Sequence, residues 1–232
     1  MLSDVMEDYL KAIYTLQRER GPPVRTSAIA EALDVTPPTV TSMLEKLADR
    51  GLVDREKYHG VELTAEGETV ALEVVRHHRL LETYLAEHLD YGWGEVHDEA
   101  DTLEHHISEA FEERMASVLG EPTVDPHGDP IPCPDLRPLS EDDTAPLSAH
   151  EVGDRVVVAR VSDRNESELA YLSDAGIQPG VTLELAERTP IGLVRVTGDG
   201  VDQQLPDDVA ESIRVRAVSD APGDDPVEVP DP

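Results

Sequence analysis

Residues 24–67 read VRTSAIAEALDVTPPTVTSMLEKLADRGLVDREKYHGVELTAEG, and the order of periodicities and breaks in this stretch constrains the fold more than any other. Thr26 or Ser27 can open a short helix that ends near Leu33, and Asp34-Val35 then makes a tight turn. Thr36 caps a second helix with Pro37 in its first position, where the missing N–H has no intrahelical partner to lose. Val40, Met43, Leu44 and Leu47 repeat at helical spacing and face a core, and Gly51 ends the helix. LVDREKYHGVELT alternates as two short strands around a Tyr58-His59-Gly60 tip. Upstream, SDVMEDYLKAIYTLQRERG predicts a helix capped by Ser3 or Asp4, with an apolar stripe of Val5, Tyr9, Ile13 and Leu16 and a stop at Gly21. Helix, helix, turn, helix, hairpin is the pattern of a winged helix-turn-helix.

The outward side of the second helix carries Thr39, Thr41, Ser42 and Lys46, short hydroxyls and a lysine rather than carboxylates. Side chains of that kind can contact phosphates and base edges, and Arg25, Arg55 and Lys57 flank them as phosphate partners. Charge supports a DNA-facing module. Residues 1–65 hold eight Lys/Arg against eleven Asp/Glu, a net −3, whereas the rest of the chain carries −28. The total of −31, with only three lysines, resembles the composition of proteins that work in molar intracellular salt, where self-repulsion is screened within about 3 Å; the alternative is an acidic protein that avoids nucleic acid. The single cysteine, Cys133, excludes an internal disulfide and suits a reducing compartment. No apolar run approaches the roughly 18 residues of a membrane span, and MLSDVMEDYL is not a signal peptide, so a soluble, cytoplasmic protein is expected.

A long helix is expected from Ala65 to about His88, and His78 and Glu82, four apart, share one of its faces. A further helix is expected from about Glu95 to Leu119. Wound at about 100° per residue, it places His97, Asp101, Glu104 and His105 on one arc and Ala100, Leu103, Ile107, Ala110 and Phe111 on the next. A solvated stripe would explain the acids of the first arc but not its histidines. Oxygen and imidazole ligands at these spacings suit Mn(II), Fe(II) or Zn(II). Two long amphipathic helices after a winged helix also suit a homodimer, and DNA readers of this kind are commonly two-fold symmetric. A metal-dependent hydrolase is the competing reading of the cluster, but no HExxH occurs and the helix-turn-helix would go unexplained. A metal buffer, the third reading, would need no DNA. His77, His88, His106 and His127 are expected to be solvated or structural.

Residues 121–150 are Pro-rich and are expected to form a linker or strap. In residues 151–218 RVVVARVSD, VTLELAER, GLVRVTG and IRVRAV alternate as strands around one short helix, SELAYLSDAG, which suggests a small β-barrel. The acidic tail, 219–232, is expected to be disordered. The fold class is therefore α+β, with a winged helix-turn-helix at 1–65, an all-α domain at 66–120, the linker and the barrel.

MEDYLKAIYTL, TPPTVT, HHRLLE, VHDEADTLEHHIS and DPHGDPIP occur in an order and spacing that resemble the metal-dependent repressors of the diphtheria-toxin-repressor and manganese-transport-regulator type. The likeness covers about residues 1–218, and the last segment looks like that family's SH3-like (FeoA-like) domain. The resemblance implies a homodimeric repressor of metal-uptake genes that binds a two-fold symmetric double-stranded operator when Mn(II) or Fe(II) is bound. It implies a primary metal site at Asp8, Asp101, Glu104 and His105. A second site is implied at His78, Glu82 and His97, with help from Asn165 and Glu168 of the SH3-like domain. Thr36, Pro38, Thr39 and Thr41 fit the family's DNA-contacting pattern. Iron-responsive relatives carry methionine and cysteine where this chain has Asp8 and Asp101, so the ligand set resembles the manganese branch. Where that branch has a carboxylate one turn after Asp8, this chain has Lys11.

Overall fold

The computed structural model describes residues 2–56, 59–140, 143–163 and 165–218, and the chain divides into two compact units, 1–141 and 142–232. Lys57, expected at the wing, and the tail 219–232 lie outside the described residues.

The first unit opens with α1 (Asp4–Arg20), α2 (Thr26–Ala32), α3 (Pro37–Asp49) and a hairpin of β1 (Val53–Glu56) and β2 (Gly60–Leu63). Asp34 takes up the left-handed turn between α2 and α3 at φ 48°, a conformation Asp tolerates better than most residues. Gly60 opens β2 at φ 125°, and a Cβ there would meet the Val24 carbonyl oxygen at 2.6 Å, so only glycine lets the wing close on the strand bridge between Val24 and Val61. Leu10, Ile13, Ile29, Val40, Leu44 and Leu47 are fully buried together, each worth about 1.5–3 kcal/mol of transfer free energy. In α1 the buried face is Met6, Tyr9, Leu10, Ile13, Tyr14 and Leu16, while Val5, expected on that stripe, is 51% exposed. Val5 lies one position before the Met6–Tyr9–Ile13 row, on the solvent side of it.

Helix α4 (Ala65–His88) starts at Thr64, whose hydroxyl accepts from Gly67 N–H, and packs along α1. The single helix expected from Glu95 to Leu119 is instead two, α5 (Val96–Leu103) and α6 (Glu109–Val118). Ser108 causes the break: its hydroxyl accepts from Phe111 N–H, with Glu109 and Glu112 complementing the first turn of α6. The break redirects the apolar face. Ala100 is buried as expected, Leu103 and Ile107 are half-buried, and Ala110 and Phe111 are exposed; Met115 and Ala116 supply the core contacts of α6.

Residues 121–140 form a strap on this unit rather than a free linker. Leu136 and Leu139 pack against the winged-helix core, and Arg18 donates to the Leu139 and Ser140 carbonyls. Arg76 and Arg79 donate to the carbonyls of Pro132 and Pro130. Proline-rich backbone has few N–H groups but keeps its carbonyls, and arginines on α1 and α4 use them.

The second unit is an antiparallel sheet of β3 (Ala145–Pro146), β4 (Arg155–Val161), β5 (Thr182–Arg188), β6 (Leu193–Gly198), β7 (Val201–Pro206) and β8 (Ile213–Ala217), in the order β3-β8-β4-β5-β6-β7. Helices α7 (Glu166–Asp174) and α8 (Asp207–Ser212) join its strands. Alternate residues Val156, Val158, Leu183, Leu185, Val194, Val196, Ile213 and Val215 point into one apolar core. Bulges at Val158/Arg160 and Leu185/Glu187 bend the strands and curl the sheet around that core.

Candidate metal centre

Helix α1 carries Asp8 to the junction of α4 and α5, where its Oδ1 lies 2.8 Å from His105 Nε2. His105 Nδ1 lies 2.7 Å from Glu7 Oε2, and Glu104 Oε1 lies 3.5 Å from His105 Nε2. Asp8, Glu104 and His105 thus present one ligand atom each within a radius suited to a metal ion. Burial pulls the His105 pKa down, but Glu7, Glu104 and Asp8 together hold it above the ordinary histidine value. Asp8 is pushed up by burial. Without an ion the ring is a proton-bearing bridge between two carboxylates. Its Nδ1–H can stay on Glu7 when Nε2 gives up its proton, which orients the ring for ligation. Glu7 was not anticipated from sequence, although its place beside Asp8 in the first turn of α1 was visible.

Asp101 does not join this trio. It faces His78 and Glu104 on the other side, with Oδ1 3.2 Å from His78 Nδ1. The broken helix explains the split: Asp101 belongs to α5, while Glu104 caps it and His105 already lies in the turn beyond. Glu104, 2% exposed, spans both sides; its Oε2 is 2.6 Å from His78 Nδ1. Hydrogen bonds from His78 and Lys11, with their charges, outweigh burial and hold Asp101 well below the usual carboxylate range.

The expected second trio does assemble. His78 Nε2, Glu82 Oε1 and His97 Nδ1 lie 3.0, 3.2 and 3.3 Å apart pairwise. Burial alone would raise Glu82 and lower His78; their mutual attraction reverses both directions. Sequence reasoning missed two further members of this centre. His127, expected to be solvated or structural, is fully buried with Nδ1 3.8 Å from Glu82 Oε1, and Asp125 joins them as a third ligand group. Asp125 closes the strap turn by accepting from His127 N–H and Asp129 N–H through Oδ1, and burial with the Glu82 charge pushes its carboxyl well up.

The fit to a cation rests on two orphaned atoms. Among the described residues, Glu82 Oε2 and His127 Nδ1 are buried with no hydrogen-bond partner. His127 Nε2 lies 2.9 Å from the Trp93 carbonyl oxygen, which requires Nε2–H and leaves Nδ1 facing Glu82. Unmet buried groups cost about 1–3 kcal/mol each, and a proton or a metal ion at Nδ1 would satisfy both. Carboxylate oxygen and imidazole nitrogen are ligands suited to Mn(II), Fe(II) and Zn(II), and no thiolate takes part.

Asn165 and Glu168 have partners within their own unit. Asn165 caps α7 by accepting from Glu168 N–H at 3.2 Å, and the Glu168 carboxylate accepts from the Ser212 hydroxyl. His77 is structural as expected, bridging the Glu104 carbonyl and Glu112.

On the winged helix, Thr36, Pro38, Thr39, Ser42 and Lys46 are exposed at α3, Thr41 is half-buried, and Arg25 is exposed at the start of α2. The Thr36 and Thr39 hydroxyls lie 2.8 Å apart at the helix N-terminus. Arg55 on β1 pairs with Glu45 at 3.3 Å.

A winged helix whose first helix delivers a carboxylate to a histidine–carboxylate cluster on the following helices defines a class: metal-responsive DNA-binding regulators. Comparison with known proteins narrows this. The profile of the iron dependent repressor N-terminal DNA binding domain matches residues 1–61, that of the iron dependent repressor metal binding and dimerisation domain matches 64–133, and the FeoA domain matches 145–217. The diphtheria toxin repressor of Corynebacterium efficiens is 33% identical over 226 residues, covering 94% of this chain and 97% of that protein. The iron-dependent repressor IdeR of Mycobacterium tuberculosis is 34% identical over 229 residues, covering 94% and 99%. A solved manganese-dependent transcriptional repressor in complex with manganese superposes with TM-score 0.85 at 39% identity, covering 92% of this chain and all of that one. The manganese regulator SloR superposes at 0.77 with 35% identity, covering 92% and 98%. The chain belongs to the family of iron- and manganese-dependent transcriptional repressors that includes the diphtheria toxin repressor and IdeR. These are regulators and not enzymes, and among the described residues no helix is long and apolar enough to cross a membrane.

Proposed function

We propose that this chain is a cytoplasmic, homodimeric repressor that reports Mn(II) or Fe(II) to the promoters of metal-uptake and metal-homeostasis genes. One observation carries the reading: Asp8 sits on the first helix of the winged helix yet shares a ligand cluster with Glu104 and His105 of the helical domain. A divalent ion there supplies positive charge that holds three groups from two domains together. Asp8, Glu104 and His105 would hold the ion, Glu104 from the C-terminal cap of α5. With α1 fixed on α4 and α5, two copies of α3 in a dimer are held for successive major-groove turns, about 34 Å apart. Thr36, Pro38, Thr39, Thr41, Ser42, Lys46 and Arg25 then meet the operator, and Lys57 on the wing is assigned a phosphate. The two states differ in how well they bind the ion, which is what makes the ion a regulator.

Hard oxygen ligands at Asp8 and Glu104 favour Mn(II), and the manganese-bound relative points the same way. The second centre, His78, Glu82 and His97 with Asp125 and His127, is assigned a further ion that clamps the strap to α4. The exposed apolar side chains Phe111 and Val118 on α6 suit a dimer interface. A net charge of −31 fits a halophilic cytoplasm and a DNA affinity that changes little, or rises, as KCl approaches molar levels.

The test is retention of sheared DNA from the source genome by the purified protein in molar KCl, with chelator, Mn(II), anaerobic Fe(II) or Zn(II). Specific fragments are expected only with metal, and Asp8→Ala and His105→Ala should each abolish them. Fragments held equally well in chelator would leave a DNA-binding protein whose cluster is structural. No retention under any condition would remove the DNA reading.

A further inference from the structure

Lys11 follows Asp8 by one turn of α1, and its ammonium lies inside the acidic centre rather than in solvent. Nζ is 2.8 Å from Asp101 Oδ1, 2.8 Å from Glu104 Oε2 and 2.9 Å from His78 Nδ1. Those three residues, taken alone, bring their ligand atoms within 4.8 Å of one another, as the trio at Asp8 also does. A lysine ammonium carries three donors and a full positive charge, so it meets the Asp101 and Glu104 oxygens, and His78 Nδ1 when that nitrogen carries no proton, as a small cation does. The two positions share one residue. Glu104 turns Oε1 towards His105 and Oε2 towards Lys11 and His78.

We propose that Lys11 is an internal cation: its ammonium takes the place of a divalent ion between His78, Asp101 and Glu104, and so restricts the α1 end of the centre to one exchangeable ion. The inference rests on the reading of Asp8, Glu104 and His105 as metal ligands. It has a structural consequence. Between Asp101 and Glu104 carboxylate repulsion is already offset without metal, so α1 is docked at Lys11 and open only at Asp8. The exchangeable ion therefore closes one turn of α1 rather than recruiting the whole helix. A surface ion pair would be worth little, but Glu104 is buried and an uncompensated carboxylate there is costly. Removing the ammonium therefore leaves a ligand set, with His78 and Glu104 buried and Asp101 at its open side, that another cation can fill.

The experiment counts ions. Full-length wild type, Lys11→Met, Lys11→Gln, Lys11→Arg and His105→Ala are stripped with chelator and dialysed against Mn(II). Bound manganese per chain is measured, and Mn(II) EPR spectra are recorded. Lys11→Met and Lys11→Gln are expected to bind one more ion per chain than wild type, with a spin-coupled signal from two ions sharing Glu104. Lys11→Arg should match wild type, and His105→Ala should bind one fewer. Equal manganese in wild type and the two neutral variants would overturn the inference. If a neutral variant folds only when Mn(II) is present, the ion has replaced the ammonium and the inference stands; if Mn(II) does not rescue folding, it falls. Loss of no ion in His105→Ala would instead overturn the ligand reading at Asp8, whatever the Lys11 variants show.

Discussion

His127 gives the most direct handle on the second centre, because its titration can be read without any metal. Burial pulls the imidazole down, but Glu82 and Asp125 outweigh it and push its pKa up to about 9. A raised folded value means that the protonated ring stabilises the fold. That contribution is fully present below the unfolded pKa of about 6.5 and is lost as pH rises through about 9. At about 1.4 kcal/mol per pH unit, the gap is worth ~3 kcal/mol in the metal-free protein. For a chain of this size that corresponds to roughly 6–12 °C in Tm. His127→Gln keeps an N–H for the Trp93 carbonyl and removes the titration. Thermal unfolding of chelated wild type and variant, followed by circular dichroism from pH 6.5 to 9, should show wild type losing that much more stability than the variant. His77, His78 and His105 are raised as well, so the prediction concerns the difference between the two curves rather than either curve alone. Mn(II) should act with the opposite sign, stabilising wild type increasingly as pH rises towards and past about 9, where the proton competes less for Nδ1. Parallel pH curves for the two chelated proteins would refute the coupling of His127 to Glu82.

Glu7→Gln should lower Mn(II) affinity by about 10–100-fold without changing the number of ions bound, since Glu7 orients His105 and leaves Asp8 and Glu104 in place; calorimetric titration checks both quantities. Mn(II) affinity at the same centre should climb as pH rises through the elevated His105 pKa, because the ion displaces the Nε2 proton; a pH-independent affinity would contradict that exchange. Thr39→Ala with Thr41→Ala should weaken retention of specific DNA while manganese stoichiometry stays at the wild-type value, read by fragment retention and metal analysis on one preparation. Leu139→Ala, which removes a strap side chain from the winged-helix core, should cost ~1–3 kcal/mol in denaturant unfolding, less than a fully buried leucine because Leu139 is only partly covered.

The winged helix was legible because each of its elements carries its own local signal. Pro37 and Thr36 start α3, Gly51 ends it, and the residues between repeat at helical spacing. The polar arc on α5 was legible for the same reason, and it held for His97 and Asp101, which share one helix. It failed beyond Leu103 because continuing the apolar repeat predicts one helix, whereas Ser108 offers the backbone a cap that periodicity does not weigh. Continuing the helix also put Phe111 into a core it does not enter.

The strap shows a different limit. Asp125 and His127 sit in a turn, where no period exists to place a side chain, and the proline content around them argues for a linker. What holds the strap down is non-local: Arg18, Arg76 and Arg79 use carbonyls of Pro130, Pro132, Leu139 and Ser140. Arginines on the helices of an acidic chain were the signal available, since buried Arg76 above all must find acceptors somewhere, and carbonyl-rich proline segments supply them without adding charge. The same reasoning applies to Lys11. One of three lysines in the whole chain, it lies on the helix face that carries Asp8, and among so many carboxylates a scarce cation at such a place has a structural task. The positive residues of this protein therefore mark its architecture more sharply than its acids do, because the acids are too many to be informative one by one.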